Sequence, residues 1–216
     1  MGIIEKLPNE PSLALGTGEI KITELAGANA SYVNNSKPVT PFLIQKITNS
    51  KDVTIAEFSP KVAEKEAFSS DTRQIMIEMM KSTINSGTAS RIRSSYNLNN
   101  DIAGKTGTTQ NNKDAWFVGI TPKLVHITWV GLDNHELGFK STNLGQGANA
   151  ALPMFALFMQ KLNKDSAFNS ITKAKFEKPS SAVLELLDCD PVKKDGFLKR
   201  LFKNPDKKKT KKFKGN

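Results

Sequence analysis

The sequence predicts an α+β protein in which an antiparallel sheet is flanked by helices. Three short apolar runs separated by turn residues predict the strands of the sheet, at about residues 102–109, 115–120 and 124–132. Two longer segments repeat apolar residues every three or four positions and predict the flanking helices, at about 71–85 and 150–162. A chain of 216 residues with 38% hydrophobic content is long enough to bury one main core.

The N-terminal part of the chain predicts one helix and one hairpin. Thr23 is suited to be the N-cap of a helix that ends near Asn34, because Glu24 would lie in its first turn. Residues 41–47 and 53–58 predict two short strands, since the residues between them are polar and suit a loop. We expect this hairpin to be a flap at the periphery of the fold.

The strongest helix signal begins at Ser70 or Asp71 and ends near Asn85. One stripe of this segment is predicted to face the core and consists of Ile75, Met76, Met79, Met80, Thr83 and Ile84. Methionine commonly fills irregular apolar gaps, so these methionines are interpreted as core residues rather than ligands. The polar run from 89 to 100, which carries Arg91 and Arg93, predicts an exposed loop that leads into the sheet.

The middle strand of the predicted sheet is apolar on both faces. Alternation places Trp116 and Val118 on one face, and Ala115 and Phe117 on the other, so both faces are expected to be buried. The final helix is predicted to pack on the sheet through Leu152, Phe155, Ala156, Met159 and Leu162.

The composition changes after Lys164, where the chain becomes polar or basic. We interpret residues 1–165 as the folded domain and 166–216 as a disordered tail, in which only residues 182–187 indicate a helical turn. Eleven Lys or Arg and two Asp between residues 193 and 216 carry +9 of the net charge of +10, which leaves +1 for residues 1–192. Contact with anionic lipid, with cell-wall polymer or with non-specific nucleic acid is the alternative to a simply solvated tail. No specific nucleic-acid partner is expected.

Several signals of location and metal binding are absent from the sequence. No run of about 18 apolar residues is present, and the N-terminus lacks the apolar stretch and cleavage site of a signal peptide, so neither anchor nor export signal is expected in this chain. Cys189 is the only cysteine, which excludes an internal disulfide. His126 and His135 have no carboxylate or cysteine at metal-ligand spacing, so no metal site and no cofactor are expected.

The clearest chemical signal lies in residues 101–109, which read Asp-Ile-Ala-Gly-Lys-Thr-Gly-Thr-Thr. In a strand, Thr106 and Thr108 would share one face, while Gly107 leaves the backbone bare for close approach. Lys105 would supply positive charge, the threonine hydroxyls would hydrogen-bond a carboxylate, and the N–H of Thr108 would stabilise an oxyanion. The segment therefore predicts a clamp for an anionic, peptide-like ligand.

A nucleotide-binding interpretation competes, because Gly104-Lys105-Thr106 is also how a P-loop ends. That motif requires a glycine five residues before Gly104, where Asn99 stands. Asp101 would also place a negative charge beside the phosphates. The nucleotide-binding interpretation is therefore disfavoured, and the weight of the short Lys-Thr-Gly run depends on its context.

Four further motifs accompany this segment in a fixed order. They are Pro11-Ser12-Leu13-Ala14-Leu15-Gly16, Gly87-Thr88-Ala89, Asp114-Ala115-Trp116-Phe117-Val118-Gly119 and Trp129-Val130-Gly131-Leu132-Asp133. Together with the Lys-Thr-Gly run they resemble the C-terminal part of the transpeptidase domain of class A penicillin-binding proteins, the bifunctional peptidoglycan synthases. The resemblance extends from about Pro11 to Asn163, and it implies a partial penicillin-binding-protein or serine β-lactamase-like transpeptidase fold.

The resemblance also implies a reaction, a set of ligands and a location. In this family a serine attacks the D-Ala-D-Ala amide of a peptidoglycan stem peptide, an amine of a neighbouring stem then displaces the serine, and β-lactams are trapped at the acyl stage. By resemblance, Lys105, Thr106, Gly107 and Thr108 bind the substrate, residues 89–100 either border the substrate groove or form a solvated connection, and the protein acts at the extracytoplasmic face of the bacterial membrane.

Two other motifs of the family have no counterpart in the expected places. The family uses Ser-x-x-Lys for nucleophile and base and Ser-x-Asn for proton relay, both well before Lys-Thr-Gly. Ser170-Ile171-Thr172-Lys173 and Ser95-Tyr96-Asn97 match these patterns, but they stand in the wrong order and are interpreted as chance matches. No catalytic residue is therefore expected in this chain.

The sequence thus favours a transpeptidase fragment that is inactive alone and depends on a missing N-terminal part of the domain. Because the resemblance implies that this missing part pairs with the strand near residues 125–132, we expect the isolated chain to be loosely packed or aggregation-prone. The alternatives are a non-catalytic ligand-binding or interaction module that keeps the carboxylate clamp, and a basic-tailed nucleic-acid binder on an unrelated fold.

Overall fold

A three-stranded antiparallel sheet lies at the centre of the structure, a computed structural model that describes residues 1–132, 134 and 136–188. The strands are β1 (Val39–Thr40), β2 (Lys46–Thr48), β3 (Thr54–Glu57), β4 (Lys61–Val62), β5 (Ala103–Thr108), β6 (Asp114–Thr121) and β7 (Leu124–Gly131). The helices are α1 (Ile22–Asn29), α2 (Ser70–Asn85), α3 (Arg91–Ser94), α4 (Thr142–Gly145), α5 (Gly147–Ala150), α6 (Leu152–Asn163), α7 (Asn169–Thr172) and α8 (Ser181–Leu187). Short 3-10 helices lie at Pro11–Leu15, Ala30–Tyr32, Gln110–Asn112 and Ser166–Phe168.

The central sheet is a meander in the order β5-β6-β7, which confirms the predicted α+β class and the predicted antiparallel strands. Ala103 at the start of β5 pairs with Ile120, and Thr108 at its end pairs with Ala115. Strand β6 has a neighbour on each side, whereas β5 and β7 each pair only with β6 in the described part of the chain.

Both faces of β6 are covered, as the sequence predicts. On one face Ala115 and Phe117 are fully buried, and the rings of Phe117 and Phe155 of α6 are 5.2 Å apart. On the other face Ile120 is fully buried, while Trp116 and Val118 are partly buried. All five residues predicted for the inner face of α6 are buried in this core: Leu152, Phe155, Ala156, Met159 and Leu162.

Helix α2 has the predicted bounds but turns a different set of residues inward. The hydroxyl of Ser69, the N-cap, accepts a hydrogen bond from the N–H of Thr72 at 3.2 Å. The buried residues are Ile77, Met80 and Ile84, whereas Met79 is 54% exposed. The predicted stripe was therefore wrong at Met79. The contact with β5 and the packing of α8 select a face centred on residues 77, 80 and 84.

Helix α1 begins earlier than predicted. Lys21 is its N-cap and forms no side-chain cap hydrogen bond, so Thr23 is a helical residue and not the cap. The carboxylate of Glu24 instead accepts from the N–H groups of Ile4 and Glu5, at 3.3 Å each, and ties the N-terminal segment to the helix. The α-helix ends at Asn29 and continues as a 3-10 turn, short of the predicted end at Asn34.

The predicted hairpin is present at the periphery with shorter strands. Strands β2 and β3 are almost wholly exposed, and β1 and β4 form a second antiparallel pair at the base. The side chain of Asn49 organises the loop, because its Oδ1 accepts from the N–H groups of Lys51 and Val53. Residues 41–44, predicted as strand, lie between the two pairs and belong to neither, while the carbonyl of Gln45 still accepts from the N–H of Phe58 at 2.8 Å.

The run from 89 to 100 is more ordered than the exposed loop that the sequence predicts. It contains α3, and Ala89, Ile92 and Leu98 are buried in the core next to α6. The guanidinium of Arg93 donates to the carbonyls of Leu98 and Asn100 and to the side chain of Asn85. These bonds fold the run back on itself, so its polar composition reflects internal hydrogen bonds as well as solvation.

The folded body extends beyond the boundary predicted at residue 165. Residues 166–188 include α7 and α8, and Val183 is fully buried where α8 packs on α2. The connections are polar: Asn100 Nδ2 donates to the carbonyl of Thr172 at 2.7 Å, and the N–H of Phe176 donates to Asp101 Oδ2 at 2.9 Å. The predictions for the basic run at 193–216, for Cys189 and for His135 fall outside the described residues.

The side chain of His126 on β7 provides a pH test of this packing. Its ring centroid lies 5.5 Å from that of Phe155 and 5.0 Å from that of Phe158, and burial lowers the pKa of the imidazole from its ordinary value. The folded state therefore favours the neutral ring, while the unfolded chain takes up a proton below about pH 6.5.

We expect His126 to leave the free energy of unfolding unchanged above about pH 6.5 and to lower it progressively as the pH falls from there through the lowered folded-state pKa, where the decline ends. Urea unfolding between pH 7.5 and 5 should show a shallower pH dependence for His126→Phe than for the unsubstituted chain. Parallel pH profiles of the two proteins would contradict this interpretation.

Candidate functional site

The residues with the strongest chemical signal lie where β5 leaves the core. Ala103 and Gly104 are buried, whereas Lys105 and Thr108 are exposed. A Cβ on Gly104 would lie 2.7 Å from the carbonyl oxygen of Val118, so the buried half of the strand is closely packed against β6. The first half of β5 is therefore fixed in the core, and its polar residues lie at the accessible end of the strand.

Both threonines lie on one face of β5, and their hydroxyls are already positioned by other parts of the protein. Thr106 Oγ1 lies 2.7 Å from Thr88 Oγ1, in the connection between α2 and α3. Thr108 Oγ1 accepts a hydrogen bond of 3.0 Å from the N–H of Gly147 at the start of α5. A threonine hydroxyl that accepts one bond keeps its proton to donate, so Thr108 can still bind an acceptor such as a carboxylate.

The backbone of β5 offers a further donor at its outer edge. The N–H of Thr109 donates to the carbonyl of Asp114 at 3.3 Å across the ladder. Residues of an antiparallel pair alternate between bonded and non-bonded positions, so Gly107 also bonds toward β6. The N–H of Thr108 consequently lies on the side of β5 away from β6, where it can donate a hydrogen bond to an oxyanion.

Lys105 lies on the opposite face of the strand from the two threonines. It pairs with Val118, and its ammonium Nζ donates to the backbone carbonyl of Thr106 at 2.6 Å. An ammonium group has three donors, so two remain for a ligand. The structure thus brings the cation to the same strand edge by curling its side chain along the backbone of Thr106, and not by placing it on the threonine face.

The backbone of Gly107 has no side chain in the way, and the start of α5 packs directly against it. A Cβ on Gly147 would lie 2.4 Å from the carbonyl oxygen of Trp116 and 2.5 Å from that of Gly107. The two glycines therefore allow the start of α5 to lie directly on β5 and β6. This contact places the N–H of Gly147 where it donates a hydrogen bond to Thr108 Oγ1.

Asp114 and Thr109 connect the end of β5 to β6. The Thr109 hydroxyl accepts from the N–H of Asp114 at 2.9 Å, and Asp114 Oδ2 accepts from the indole N–H of Trp129 at 3.0 Å. Two of the motifs flanking the Lys-Thr-Gly run thereby contact each other across the sheet. Their role in this structure is to hold the end of β5 in place.

Sequence reasoning assigned no individual role to Thr88, Arg91, Gly147 or Asn149. The guanidinium of Arg91 donates to Asn149 Oδ1 and to the carbonyl of Ala148, which ties the α2–α3 connection to α5. The polar run with Arg91 and the glycines Gly145 and Gly147, at the end of α4 and the start of α5, were the available signals. The contacts of Thr88 and Gly147 with β5 arise only when the chain folds.

The serine motifs that were interpreted as chance matches do not meet at this site. Ser170 and Lys173 line a cleft beside the β6–β7 turn, and this turn lies at the end of the sheet opposite Thr108. Ser95 is the C-cap of α3, and Asn97 adopts a left-handed backbone conformation with a φ of 52°.

Two further features bear on the chemistry of this site. A second run with the Ser-x-Asn pattern, Ser141-Thr142-Asn143, lies at α4, where Asn143 accepts from the side chain of Asn149. Among the described residues, no serine hydroxyl is hydrogen-bonded to a lysine or histidine side chain, the usual geometry of an activated serine.

Two other kinds of functional element are absent from the described ranges. Within residues 1–132, 134 and 136–188, no three His, Cys, Asp or Glu residues are grouped so that they could hold a metal ion. Over the same ranges, none of the helices combines the length and the apolar character needed to cross a bilayer.

Comparison with protein families and curated proteins gives consistent matches. Residues 5–156 match the family model described as penicillin binding protein transpeptidase domain. Penicillin-binding protein 1A of Neisseria lactamica is 35% identical over 159 residues, which cover 72% of this chain and 19% of that protein. Penicillin-binding protein 1A of Aquifex aeolicus is 32% identical over 153 residues, covering 71% of this chain and 20% of that protein. The chain spans about a fifth of the length of these relatives.

Solved structures show the same fold. The crystal structure of penicillin-binding protein 1A from Haemophilus influenzae matches with a TM-score of 0.66 at 23% identity, covering 80% of this chain and 30% of that one. The penicillin-binding protein PonA1 from Mycobacterium tuberculosis matches with a TM-score of 0.58 at 22% identity, covering 81% and 45%. These matches confirm the partial transpeptidase fold and the resemblance that the motif order indicates.

Proposed function

Because the chain belongs to the penicillin-binding protein transpeptidase family, we propose that the exposed end of β5 forms the carboxylate-binding side of an acyl-transfer site. The ligands are the D-Ala-D-Ala ends of peptidoglycan stem peptides and the β-lactams that resemble them. The observation that carries this proposal is the pair of hydroxyls, Thr106 and Thr108, held on one face by Thr88 and by the N–H of Gly147.

Each group at the strand end has a distinct task in this proposal. The hydroxyls of Thr106 and Thr108 donate to the terminal carboxylate of the ligand, and the ammonium of Lys105 supplies the positive charge beside it. The N–H of Thr108, on the outer side of the strand, stabilises the oxyanion that forms when the amide or lactam carbonyl is attacked. Because other elements hold the hydroxyls before the ligand arrives, little ordering is needed on binding.

Acyl transfer also requires an activated serine, and we place that serine outside the site formed by this chain. The Ser170-to-Lys173 match lies at the far end of the sheet, and Ser95, the C-cap of α3, has no lysine or histidine side chain as a hydrogen-bond partner within the described residues. The chain alone is therefore proposed to bind a carboxylate ligand without forming an acyl bond. In the whole protein we propose cross-linking of peptidoglycan at the extracytoplasmic face of the bacterial membrane.

Binding and acylation can be tested separately on the full chain. A diacetyl-Lys-D-Ala-D-Ala peptide is expected to shift the amide NMR signals of residues 105–108. Lys105→Gln should weaken this binding about tenfold, the effect of removing one charge-assisted hydrogen bond. Lys140→Gln, a matched change at an exposed lysine, should leave the affinity unchanged. Shifts that spare β5, or equal affinities for the two variants, would refute the carboxylate clamp.

Incubation with a fluorescent penicillin, followed by intact-mass measurement, tests the absence of a nucleophile. We expect no covalent adduct, since a lysine and two threonines on a strand can bind a carboxylate but have no activating base for attack. A stoichiometric adduct that maps to Ser95 or Ser170 would show that one of the chance matches is a real nucleophile. Peptide binding without an adduct is equally expected of a non-catalytic binding module, and recovery of acylation on adding the N-terminal part of a transpeptidase domain would distinguish the two.

A further inference from the structure

A concave region lies at the end of the sheet opposite the proposed carboxylate clamp. It has a volume of about 550 Å³ and lies between α2, the β6–β7 turn and the segment that follows α7. Ala103 pairs with Ile120 at this end, whereas Thr108 pairs with Ala115 at the other. Five residue steps along β5 separate the two ends by about 17 Å. The cleft is therefore a different site from the exposed end of β5.

The base of this cleft is apolar. Tyr32, Val33, Ile77 and Phe176 contribute to its lining and belong to the smaller of the two core clusters. Except for Ile77 they are only partly buried, so they present aromatic and aliphatic surface to the opening. Ligand sites in proteins commonly have volumes of about 300–1,000 Å³ and an apolar base of this kind.

The rim of the cleft has an excess of positive charge. Arg73, Lys123, Lys173 and Lys175 line it together with two carboxylates, Glu78 and Glu177. Glu78 accepts a hydrogen bond from Lys81 at 2.9 Å, and the Glu177 side chain is 77% exposed and lies 3.6 Å from Arg73. In the described part of the chain the three lining lysines form no ion pair. Their charge is therefore available to an anionic ligand.

Arg73 is the cation whose position is best defined. Its side chain is only 14% exposed, and its guanidinium donates to Asn35 Oδ1 at 3.3 Å and to Ser70 Oγ at 3.5 Å. The Nε–H group is buried and has no acceptor among the described residues. A planar guanidinium held in this way suits recognition of a carboxylate at the mouth of an apolar cleft.

We propose that this cleft binds a small aromatic carboxylate, with its ring on Phe176, Tyr32 and Ile77 and its carboxylate near Arg73 and the rim lysines. The N–H of Phe176 donates to Asp101, which precedes β5 and contacts Lys81 at 3.6 Å. An occupant that packs on Phe176 thus contacts the segment tied to the start of the strand that carries Lys105. The amide signal of Phe176 accordingly reports on the site itself, and that of Asp101 reports on the bond to the start of β5.

The test is a titration of the full chain with 2-naphthoate, followed by amide NMR and calorimetry. Saturable binding is expected, with shifts at Tyr32, Ile77, Asp101 and Phe176 and with unchanged signals at Thr106 and Thr108. The neutral analogue 2-naphthalenemethanol should bind at least fivefold more weakly, because it has the ring without the charge. Shifts centred on the end of β5 or on the β2–β3 hairpin, or the absence of saturation, would overturn the proposal.

Substitutions at exposed rim lysines test the charge without disturbing the core. The double variant Lys123→Gln with Lys175→Gln is expected to lose at least fivefold in affinity for 2-naphthoate, and its circular dichroism should match that of the unsubstituted chain. The matched double variant Lys161→Gln with Lys164→Gln changes two exposed lysines at the end of α6 and should bind normally. Equal losses in the two double variants would mean that the chain attracts anions only through its net charge, which would also overturn the proposal.

Discussion

Replacing Phe155 with alanine is expected to lower the free energy of unfolding by about 3–5 kcal/mol, the usual cost of removing a buried aromatic ring. Phe155 is fully buried between Phe117, 5.2 Å away, and His126, 5.5 Å away, measured between ring centroids. A Cβ on Gly119 would lie only 2.4 Å from the ring, which shows that Phe155 rests directly on the backbone of β6. The substitution would therefore leave a cavity that neither the strand nor α6 can easily fill.

Urea unfolding monitored by circular dichroism measures this loss. Whole domains are stabilised by only about 5–15 kcal/mol. The Phe155→Ala variant should therefore unfold at a much lower urea concentration than the unsubstituted chain. Phe158→Ala is the matched control on the same helix, where the ring is 38% exposed, and its expected cost is about 1 kcal/mol. Similar unfolding midpoints for the two variants would show that α6 does not hold the sheet as described.

Gly147→Ala is expected to disturb both the packing and the proposed carboxylate clamp. The new methyl would lie 2.4 Å from the carbonyl oxygen of Trp116 and 2.5 Å from that of Gly107, and backbone atoms of a sheet cannot move aside cheaply. We expect α5 to shift away from β5 at a cost of about 1–3 kcal/mol, typical of overpacking. The N–H of Gly147 would then no longer hold Thr108 Oγ1.

The expected readouts are a lower urea midpoint, a large change in the NMR signals of Thr108 and at least a tenfold loss in peptide affinity. Gly18→Ala is the control, since its new methyl would meet the ends of the Leu13 and Leu7 side chains, which can rotate. The urea midpoint and the peptide affinity of the Gly18→Ala variant should be nearly those of the unsubstituted chain. A Gly147→Ala chain with unchanged Thr108 signals would disprove the link between α5 and the clamp.

The central sheet and its main helices could be predicted from the sequence because local periodicity reports burial. Strands β5, β6 and β7 lie within one or two residues of the predicted positions. The alternation along β6 identified Phe117 and Ala115 as one buried face, and the spacing in α6 identified all of its buried residues. The same period of two placed Thr106 and Thr108 on one face of β5.

The surroundings of those threonines could not be predicted in this way. Thr88 is 18 residues from Thr106 along the chain, and Gly147 is 39 residues from Thr108. Their hydrogen bonds depend on how α2, α5 and the sheet pack together, and no local pattern describes that arrangement. The curl of Lys105 along the backbone of Thr106 likewise follows from the folded strand edge.

The sequence by itself determined the sheet, the helices that cover it and the polar end of β5, since each depends on the spacing of apolar and polar residues along a short stretch. Only the tertiary structure decided that residues 166–188 belong to the folded body and that Met79 faces outward. Asn100 reaches Thr172 across 72 residues, and Asp101 reaches Phe176 across 75. Such polar bonds between distant segments carry no periodic signal, because their donors and acceptors resemble solvated groups until packing brings them together.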